Sequence, residues 1–476
     1  MSNIIVGLDI GTTKIACFIG QQDENGKLKI LGHGKTESIG VERGVVKNVL
    51  DTSKSIRKAV EIASNQANVD VDEVYVGIAG QHIKSIQSQG SIMIPADHRL
   101  ITEEDVQHLI DDQHRVMLQP GEEIIHIFPQ TYSVDNEELE VSPVGVAGKC
   151  LRATFHIITG NTENLRNIQY SVEDAGLRIK DVVLEPIASS YAVLTKVDKD
   201  AGVVLVDIGG GTTDIAIFQD GIIRHTSVLP LAGNAITEDI RKGCGILKGQ
   251  AESLKTKFGS CLPSNVRKDD IIAIPGISNQ PKREISMQTL AGIVKARLQV
   301  ILEQVAYEIT LSGYDKQLLA GIVLTGGGAR TQHIKELCDL ITKTNSRIGE
   351  PVEHLNERNE ELAHPMYSTG IGLVLYGIEE ENRVEELARR VKEENNSNDP
   401  FSKFDIFSNM DTHAPEAQSS QAPEATEEPD PKEKKKRKKS VDNDPNNDSD
   451  VKKEGTFLSE VKKYFGRTFF EDIDED

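Results

Sequence analysis

The sequence predicts an α/β protein of two related halves, with a small α+β module inserted in the first half and a long C-terminal extension ending in an amphipathic helix. Three observations predict it. The stretch from Val203 to Phe218 runs four apolar, largely β-branched residues into Asp207-Ile208-Gly209-Gly210-Gly211-Thr212-Thr213 and out into an alternating apolar run, the pattern of strand, glycine turn, strand. A second copy stands at Ile4 to Ile19, where Asp9-Ile10-Gly11 matches Asp207-Ile208-Gly209 and Thr12-Thr13 is expected to match Thr212-Thr213. From about Asn395 the apolar periodicity stops, and Pro415, Pro423, Pro429 and Pro431 punctuate a polar linker too poor in apolar residues to bury a core.

A turn of three glycines exposes consecutive backbone N–H groups and lets the backbone approach a ligand closely, which makes a concavity suited to phosphate. The neighbouring threonine hydroxyls add hydrogen bonds, and a carboxylate at the strand end suits a hydrated magnesium ion. An ordinary hairpin is the plainer reading of one such turn. The repeat at Asp9 shifts the balance toward a paired site in which Asp9 and Asp207 are equivalent.

A chain of 476 residues with 38% hydrophobic content fills the cores of two or more domains. The net charge of −21 argues against a nucleic-acid partner. Cys17, Cys150, Cys244, Cys261 and Cys338 are scattered, odd in number and never spaced as metal ligands, so reduced thiols that fill cores are expected. The opening Met1-Ser2-Asn3-Ile4 lacks the basic and apolar regions of a secretion signal. No stretch approaches the ~18 apolar residues of a spanning helix, so any membrane contact is expected to be peripheral.

After the first hairpin, short strands are expected to about Val46, then a helix over Asp51 to Ala67 with Ile56, Val60 and Ala63 on one face, then a buried strand over Val74 to Ala79. The texture changes between His82 and Ile158. Strands at Ile83 to Ile94, Ile124 to Val134 and Cys150 to Ile158, with a helix from Glu103 to Met117 capped by Thr102, read as the inserted module, and without a glycine loop or catalytic-looking cluster its expected use is an interaction surface.

Leu165 to Ala175 reads as a helix, and Val182 to Glu185 ends a strand before a helix over Ser189 to Thr195. Glu185 either orients an attacking water beside the phosphate cradle or serves the helix macrodipole, and the residues leave both open. In the second half, helices are expected over Gly233 to Gly243, Lys248 to Phe258 and Ser286 to Leu311. Gly321 to Ala329 is a strand entering Gly326-Gly327-Gly328 ahead of a helix over Ile334 to Thr342, a nucleotide-friendly arrangement that alone is weak. The small residues of Tyr367 to Gly377 allow that helix a close crossing with the one after Glu185, a hinge between the halves.

The extension carries two features of its own. Lys432 to Lys439 is a dense basic run suited to an anionic surface, although such runs are usually only solvated. Phe457, Leu458, Val461, Tyr464, Phe465 and Phe469 fall within an arc of roughly 140° on a helical wheel. Of the chain's 12 Phe and 9 Tyr, five lie in this terminal segment, too many for a tail with no core to join. So short a helix forms on docking, either into a membrane interface or into a protein groove.

Two Asp-x-Gly-x-Thr-type hairpins, a later Gly-Gly-Gly-Ala, and the helix-opening segments at Glu185 to Ser190 and Ser368 to Gly377 together resemble the actin-like ATPase superfamily. Within it, Gly7 to Lys14, Val76-Gly77-Ile78-Ala79-Gly80, Leu184 to Ser190, Val206 to Asp214 and the position of the inserted module resemble the FtsA family of bacterial cell-division proteins, over about Ile4 to Glu380 and again at the terminal helix. The resemblance implies a two-lobed fold with ATP in the cleft between halves. Gly11, Thr12, Thr13, Gly209, Gly210, Gly211, Thr212 and Thr213 would hold phosphates, with Lys14 beside them and Mg²⁺ near Asp9 and Asp207. Gly326, Gly327 and Gly328, with the helices around Glu238 and Lys255, would sit near the adenosine. Asp9, Glu185 and Asp207 are the expected catalytic groups, with hydrolysis slow at most and no metabolic reaction.

The family resemblance further implies tethering of FtsZ filaments at the division site to the cytoplasmic face of the inner membrane, self-polymerisation, and recruitment of later division proteins. The expected organisation is a first lobe over 1–82 and 161–200, the interaction module over 83–160, and a second lobe over 201–232 and 303–364 with a small subdomain over 233–302. A closing first-lobe helix over 365–392, a linker over 393–453 and a tail helix over 454–476 complete it. The long basic linker, the tail's lack of tryptophan and the acidic Glu471, Asp472, Asp474, Glu475 and Asp476 depart from the family pattern. A small-molecule kinase is the less fitting class, because no substrate-binding insertion is evident and a kinase has no use for such a tail. A pilus-assembly or cell-shape ATPase would share the body without needing this module.

Overall fold

The computed structural model describes residues 3–95, 100–139, 142–267, 269–276, 281–356 and 360–397. The basic run 432–439, the tail over 454–476 with Phe457, Leu458, Val461, Tyr464, Phe465 and Phe469, and all but the first residues of the linker 393–453 lie outside the described residues. Met1–Glu381 forms one compact unit. Of the second unit, which begins at Asn382, the described part is helical to Ser397.

Short continuous apolar runs, buried on both faces, build the central strands of the first lobe. β1 (Ile5–Ile10), β2 (Lys14–Gln22) and β3 (Leu28–Glu37) form an antiparallel meander. The short hairpin β4 (Val41–Glu42) and β5 (Val45–Val46) leads to α1 (Val49–Ala67), and β6 (Glu73–Ile78) returns parallel to β1. The module follows as β7 (Lys84–Met93), α2 (Glu103–Asp111), β8 (Glu122–Val134), β9 (Glu137–Leu139) and β10 (Cys150–Asn161), a four-stranded sheet in the order β7-β10-β8-β9. Phe155, Ile157, Leu151 and Leu109 form its own core. The lobe closes with α3 (Thr162–Asp174), β11 (Arg178–Leu184), α4 (Glu185–Val193) and α5 (Lys196–Ala201).

The second lobe repeats the plan. Its elements are β12 (Val203–Ile208), β13 (Thr213–Gln219), β14 (Ile222–Leu229), α6 (Gly233–Cys244), α7 (Lys248–Phe258), the hairpin β15 (Ile271–Ile274) and β16 (Arg283–Ser286), α8 (Met287–Ser312), β17 (Gly321–Thr325), α9 (Ile334–Thr342) and β18 (Ser346–Ile348). One five-stranded sheet reads β3-β2-β1-β6-β11 and the other β14-β13-β12-β17-β18, so the two have the same order and the same mix of meander and parallel strands. α1 and α8 occupy the same connection in the two halves, as do α3 and α9. This is the duplication that the two hairpins predict and the actin-like fold that the resemblance implies.

Three helices depart furthest from their expected bounds. Thr102 caps α2, accepting from Asp105 N–H at 3.2 Å, but the helix stops at Asp111 and one 3₁₀ turn over Asp112–Arg115 replaces the expected run to Met117. α4 begins at Glu185, four residues before Ser189, because Pro186 sits in its first turn, where a missing N–H costs nothing. The helix expected over Tyr367 to Gly377 continues as α10 (Ser368–Ser397).

α4 and α10 cross in the buried layer between the lobes, within a core that draws Ala188 and Ala192 from one helix, Ile371 and Val374 from the other, and Val203, Leu205 and Ala216 from the second sheet. The crossing is close because Gly372 has no side chain. A Cβ there would stand 1.8 Å from Ala188 O. Gly292, inside α8, has open space around the same position. Gly372→Ala is therefore expected to cost about 3 kcal/mol by forcing the helices apart. Gly292→Ala is expected to gain about 1 kcal/mol from helix propensity alone, and melting temperatures of the two variants, shifting in opposite directions, check both.

Candidate functional site

The ladder of the first hairpin pairs Asp9 with Ala16 and Ile10 with Ile15, leaving Gly11 to Lys14 in the turn. In the second, Asp207 pairs with Asp214 and Ile208 with Thr213, leaving Gly209 to Thr212. Asp9 and Asp207 are thus equivalent, as expected, but the two Thr-Thr pairs are not. Thr12-Thr13 occupies the place of Gly210-Gly211, and Thr212 occupies that of Lys14. The sequence match misplaced them because both turns have the same length but carry the threonines two positions apart.

The turns meet face to face. A Cβ on Gly210 would stand 2.3 Å from Thr13 Cγ2, and one on Gly211 would stand 2.3 Å from Thr12 Oγ1, so only glycine fits opposite the two threonines. Gly209 N–H closes its own turn onto Thr212 O at 2.9 Å. Gly209 O and Gly210 O accept from Gly233 and Asn234 N–H at 3.1 and 2.8 Å, which stitches the start of α6 to the loop. The Gly210 and Gly211 amides donate to no protein acceptor among the described residues. Thr12 Oγ1 accepts from Gly44 N–H at 3.0 Å, so the tip of the β4–β5 hairpin also reaches the site.

Beneath the turns lies an excess of carboxylates. Asp9, Asp207 and Asp214 are 4%, 5% and 1% exposed. Lys14 Nζ bonds Asp9 Oδ2 at 2.5 Å. Asp207 Oδ2 accepts from Ser189 on α4 at 2.8 Å and from Thr369 on α10 at 3.3 Å. Over its Oδ1 lies Gly326, at φ +82°, where a Cβ would come within 2.2 Å of that oxygen. Asp214 Oδ2 accepts from Thr212 at 3.0 Å, while its buried Oδ1 has no partner.

Glu185 opens α4 half-buried, its Cγ within 3.3 Å of where a Cβ on Gly77 would stand. Burial, then the Asp9, Asp214 and Asp207 charges, pushes its carboxyl well above the usual range, with Lys14 easing it. Burial and Asp207 do the same to Asp214. Burial also raises Asp207, against the hydroxyl of Ser189. Burial pulls on Lys14 in the opposite sense, but Asp9, Glu185 and Asp207 hold it above its ordinary value.

Four carboxylates thus share one lysine. Among the described residues no three His, Cys, Asp or Glu side chains form a metal-holding group. A magnesium ion does not need one, since it keeps several waters and takes one or two carboxylates together with phosphate oxygens. The orphaned Asp214 Oδ1 and the free amides of the glycine cradle fit that chemistry.

The third glycine run enters a 3₁₀ turn over Gly327–Arg330 before α9. Gly326 and Gly328 lie against Asp207 and Ile208, and Gly327 faces open space. Lys255 Nζ bonds Gly233 O at 3.1 Å and Thr237 Oγ1 at 2.9 Å, which links it through Gly233 to the Gly209 turn. Glu238 is turned along α6 into ion pairs with Arg241 at 2.6 Å and Lys242 at 3.4 Å. The structure therefore gathers Asp9, Lys14, Glu185 and Asp207 with the three glycine turns, places Lys255 beside them, and leaves Glu238 paired on its own helix. Sequence reasoning missed Asp214, Ser189 and Thr369 as members of the cluster. Asp214 had a signal, since β-strand pairing places it directly opposite Asp207.

A carboxyl whose folded-state pKa is raised contributes stability below the ordinary carboxylate range and loses it as pH rises toward the folded value. At neutral pH burial of the Asp214 carboxyl thus opposes folding. Asp214→Asn is expected to raise the melting temperature of the nucleotide-free, metal-free protein by about 2 °C at pH 7.5, with the gain vanishing near pH 4. Melting curves across that range check the sign.

Residues 204–372 match the family model for the cell division protein FtsA, and residues 80–159 match that for the SHS2 domain inserted in FtsA. The Pseudomonas aeruginosa cell division protein FtsA is 37% identical over 379 residues, covering 80% of this chain and 90% of that one. The Escherichia coli K12 FtsA is 34% identical over 396 residues, covering 82% and 94%. Among solved structures, a PilM-PilN type IV pilus biogenesis complex matches with a TM-score of 0.57 at 14% identity, over 79% of this chain and 98% of that one, a likeness of fold alone. With a duplicated actin-like body, the inserted module and relatives at this level of identity, the chain belongs to the FtsA family of cell-division proteins.

Proposed function

We propose that this protein is an ATP-binding scaffold that anchors FtsZ filaments to the cytoplasmic face of the inner membrane at the division site, polymerises in an ATP-dependent way and recruits later division proteins. The observation that carries the nucleotide part is the cluster around Asp207. Two facing glycine–threonine turns offer unused amides, and four carboxylates lie beneath them with a single lysine. A polyanion on the amides and a divalent cation on the carboxylates balance one another there, and neither does so alone.

In this reading Gly210, Gly211, Thr12 and Thr13 hold phosphates, Lys14 stays beside them, and Asp9 and Asp207 bind Mg²⁺ through its waters. Gly326 to Gly328 and Lys255 line the nucleoside side, with Glu238 joining if its pairing with Arg241 opens. Glu185, whose carboxyl is held above its usual range by burial and its acidic neighbours, orients a water. Bound ATP and its Mg²⁺ together supply the charges that draw the lobes together. The tether rests on the apolar arc from Phe457 to Phe469 and on the basic run Lys432 to Lys439. Among the described residues no helix is long and apolar enough to cross a membrane.

Deleting 457–476 is expected to abolish sedimentation with anionic vesicles while leaving ATP affinity within a factor of about two, and undiminished sedimentation contradicts the tether. Asp207→Ala is expected to weaken Mg²⁺-ATP binding by about tenfold or more, the loss of one charged contact, and an unaltered titration contradicts the site. Cosedimentation with FtsZ polymers, with and without vesicles and ATP, tests the scaffold as a whole. The expected result is that polymer reaches the vesicle pellet only when the full chain is present.

A further inference from the structure

The inserted module is fastened to both lobes, and one fastening ends at the residue before Glu185. β11 is an edge strand of the first sheet, so alternate N–H groups along it face away from β6 and need an acceptor once covered. Leu184, its last residue, donates its N–H to His126 Nε2 on β8 at 3.1 Å. Glu185 follows directly as the first residue of α4, a helix whose N-terminus has no side-chain cap.

The same face of the module reaches β14 of the second lobe. Gln130 donates to Ile223 O at 2.9 Å and accepts at its backbone O from Arg224 at 2.8 Å, and His156 Nε2 meets Thr226 Oγ1 at 3.2 Å. Phe128 stands between the two imidazoles, 5.5 Å from His126 and 6.5 Å from His156 by ring centroid. Phe128 also packs on the core that holds Leu184 and Ile223. To accept from Leu184, His126 must be neutral with its proton on Nδ1. Burial pushes its pKa down to about 4, so the acceptor is present at neutral pH.

We propose that His126 is a positioning residue for the cleft: by accepting the Leu184 N–H it fixes where Glu185 stands among Asp9, Asp207 and Asp214, and it makes the metal-dependent part of nucleotide binding depend on the seat of the inserted module. The inference rests on the nucleotide reading above. Because the module also grips β14, a displacement of the module relative to either lobe would pull on this hydrogen bond and shift Glu185 without any contact between a partner and the cleft.

The test compares the full chain with His126→Phe, which removes the acceptor, and His126→Gln, whose side-chain carbonyl restores one. Two readouts are taken: hydrogen exchange of a peptide spanning 182–188, and the ratio of ATP dissociation constants in EDTA and in Mg²⁺. An unsatisfied N–H predicts that His126→Phe speeds exchange by about tenfold and lowers the ratio by about threefold to tenfold, while His126→Gln holds both within about twofold. A merely structural role would weaken ATP binding equally in EDTA and Mg²⁺, leaving the ratio unchanged. That result, or exchange at the wild-type rate, overturns the proposal. Should His126→Phe not fold, His126→Asn, too short to reach Leu184, replaces it in the same comparison. If the unaltered chain itself binds no Mg²⁺-ATP, the nucleotide reading fails and takes this inference with it. If that chain binds and only the variant's ratio is unmoved, this inference alone fails.

Discussion

The carboxylate of Asp207 is the point at which the two halves are tied, and a carboxylate that is 5% exposed is costly unless its surroundings answer it. The answers come from three separate parts of the chain. Ser189 arrives on α4 and Thr369 on α10, bonded to one another at 3.0 Å as well as to Asp207, and Gly326 lays the end of β17 over the other oxygen. Thr325 on β17 bonds Ser368 at the start of α10 at 2.7 Å, which holds that end of the arrangement in register. These contacts require α4 and α10 to cross closely, and Gly372 is what permits it. Sheet, crossing helices and cleft are therefore one construction.

Electrostatics makes this junction costly to bury. Asp214 faces Asp207 across the ladder, where like charges oppose each other, and Glu185 stands close enough to feel three other carboxylates. Lys14 offsets only part of this. A body that buries unbalanced charge at the junction of its lobes is sensitive to whatever cation and anion enter there. The module adds a mechanical input to the same place, since β8 touches the residue before Glu185 on one side and β14 on the other.

Much of this was legible in the residues, for physical reasons that can be named. Short apolar, largely β-branched runs on either side of the turns after Asp9 and Asp207 specify buried paired strands, and the small residues of α10 announce a close crossing. The equivalence of Thr12-Thr13 with Thr212-Thr213 misled because residue identity within a turn does not fix its position relative to the closing pair. Asp214 was written in the alternation of β13, yet its importance depends on a register that only pairing sets. Ser189 and Thr369 were hidden more deeply, 180 residues apart and brought within hydrogen-bond distance by the crossing of two helices. His126 had no signal at all, because its partner is a backbone N–H.

In the proposed function, a nucleotide and a divalent cation together complete one site made of the carboxylate cluster and the glycine turns. The most direct measurement is the melting temperature of the full chain titrated with Mg²⁺ alone, ATP alone and both. A ligand that binds the folded state at a hundred times its dissociation constant stabilises by about 2.7 kcal/mol. A rise of several degrees is expected with both present, and little with either alone. Equal stabilisation by ATP with and without Mg²⁺, or none under any condition, would contradict it.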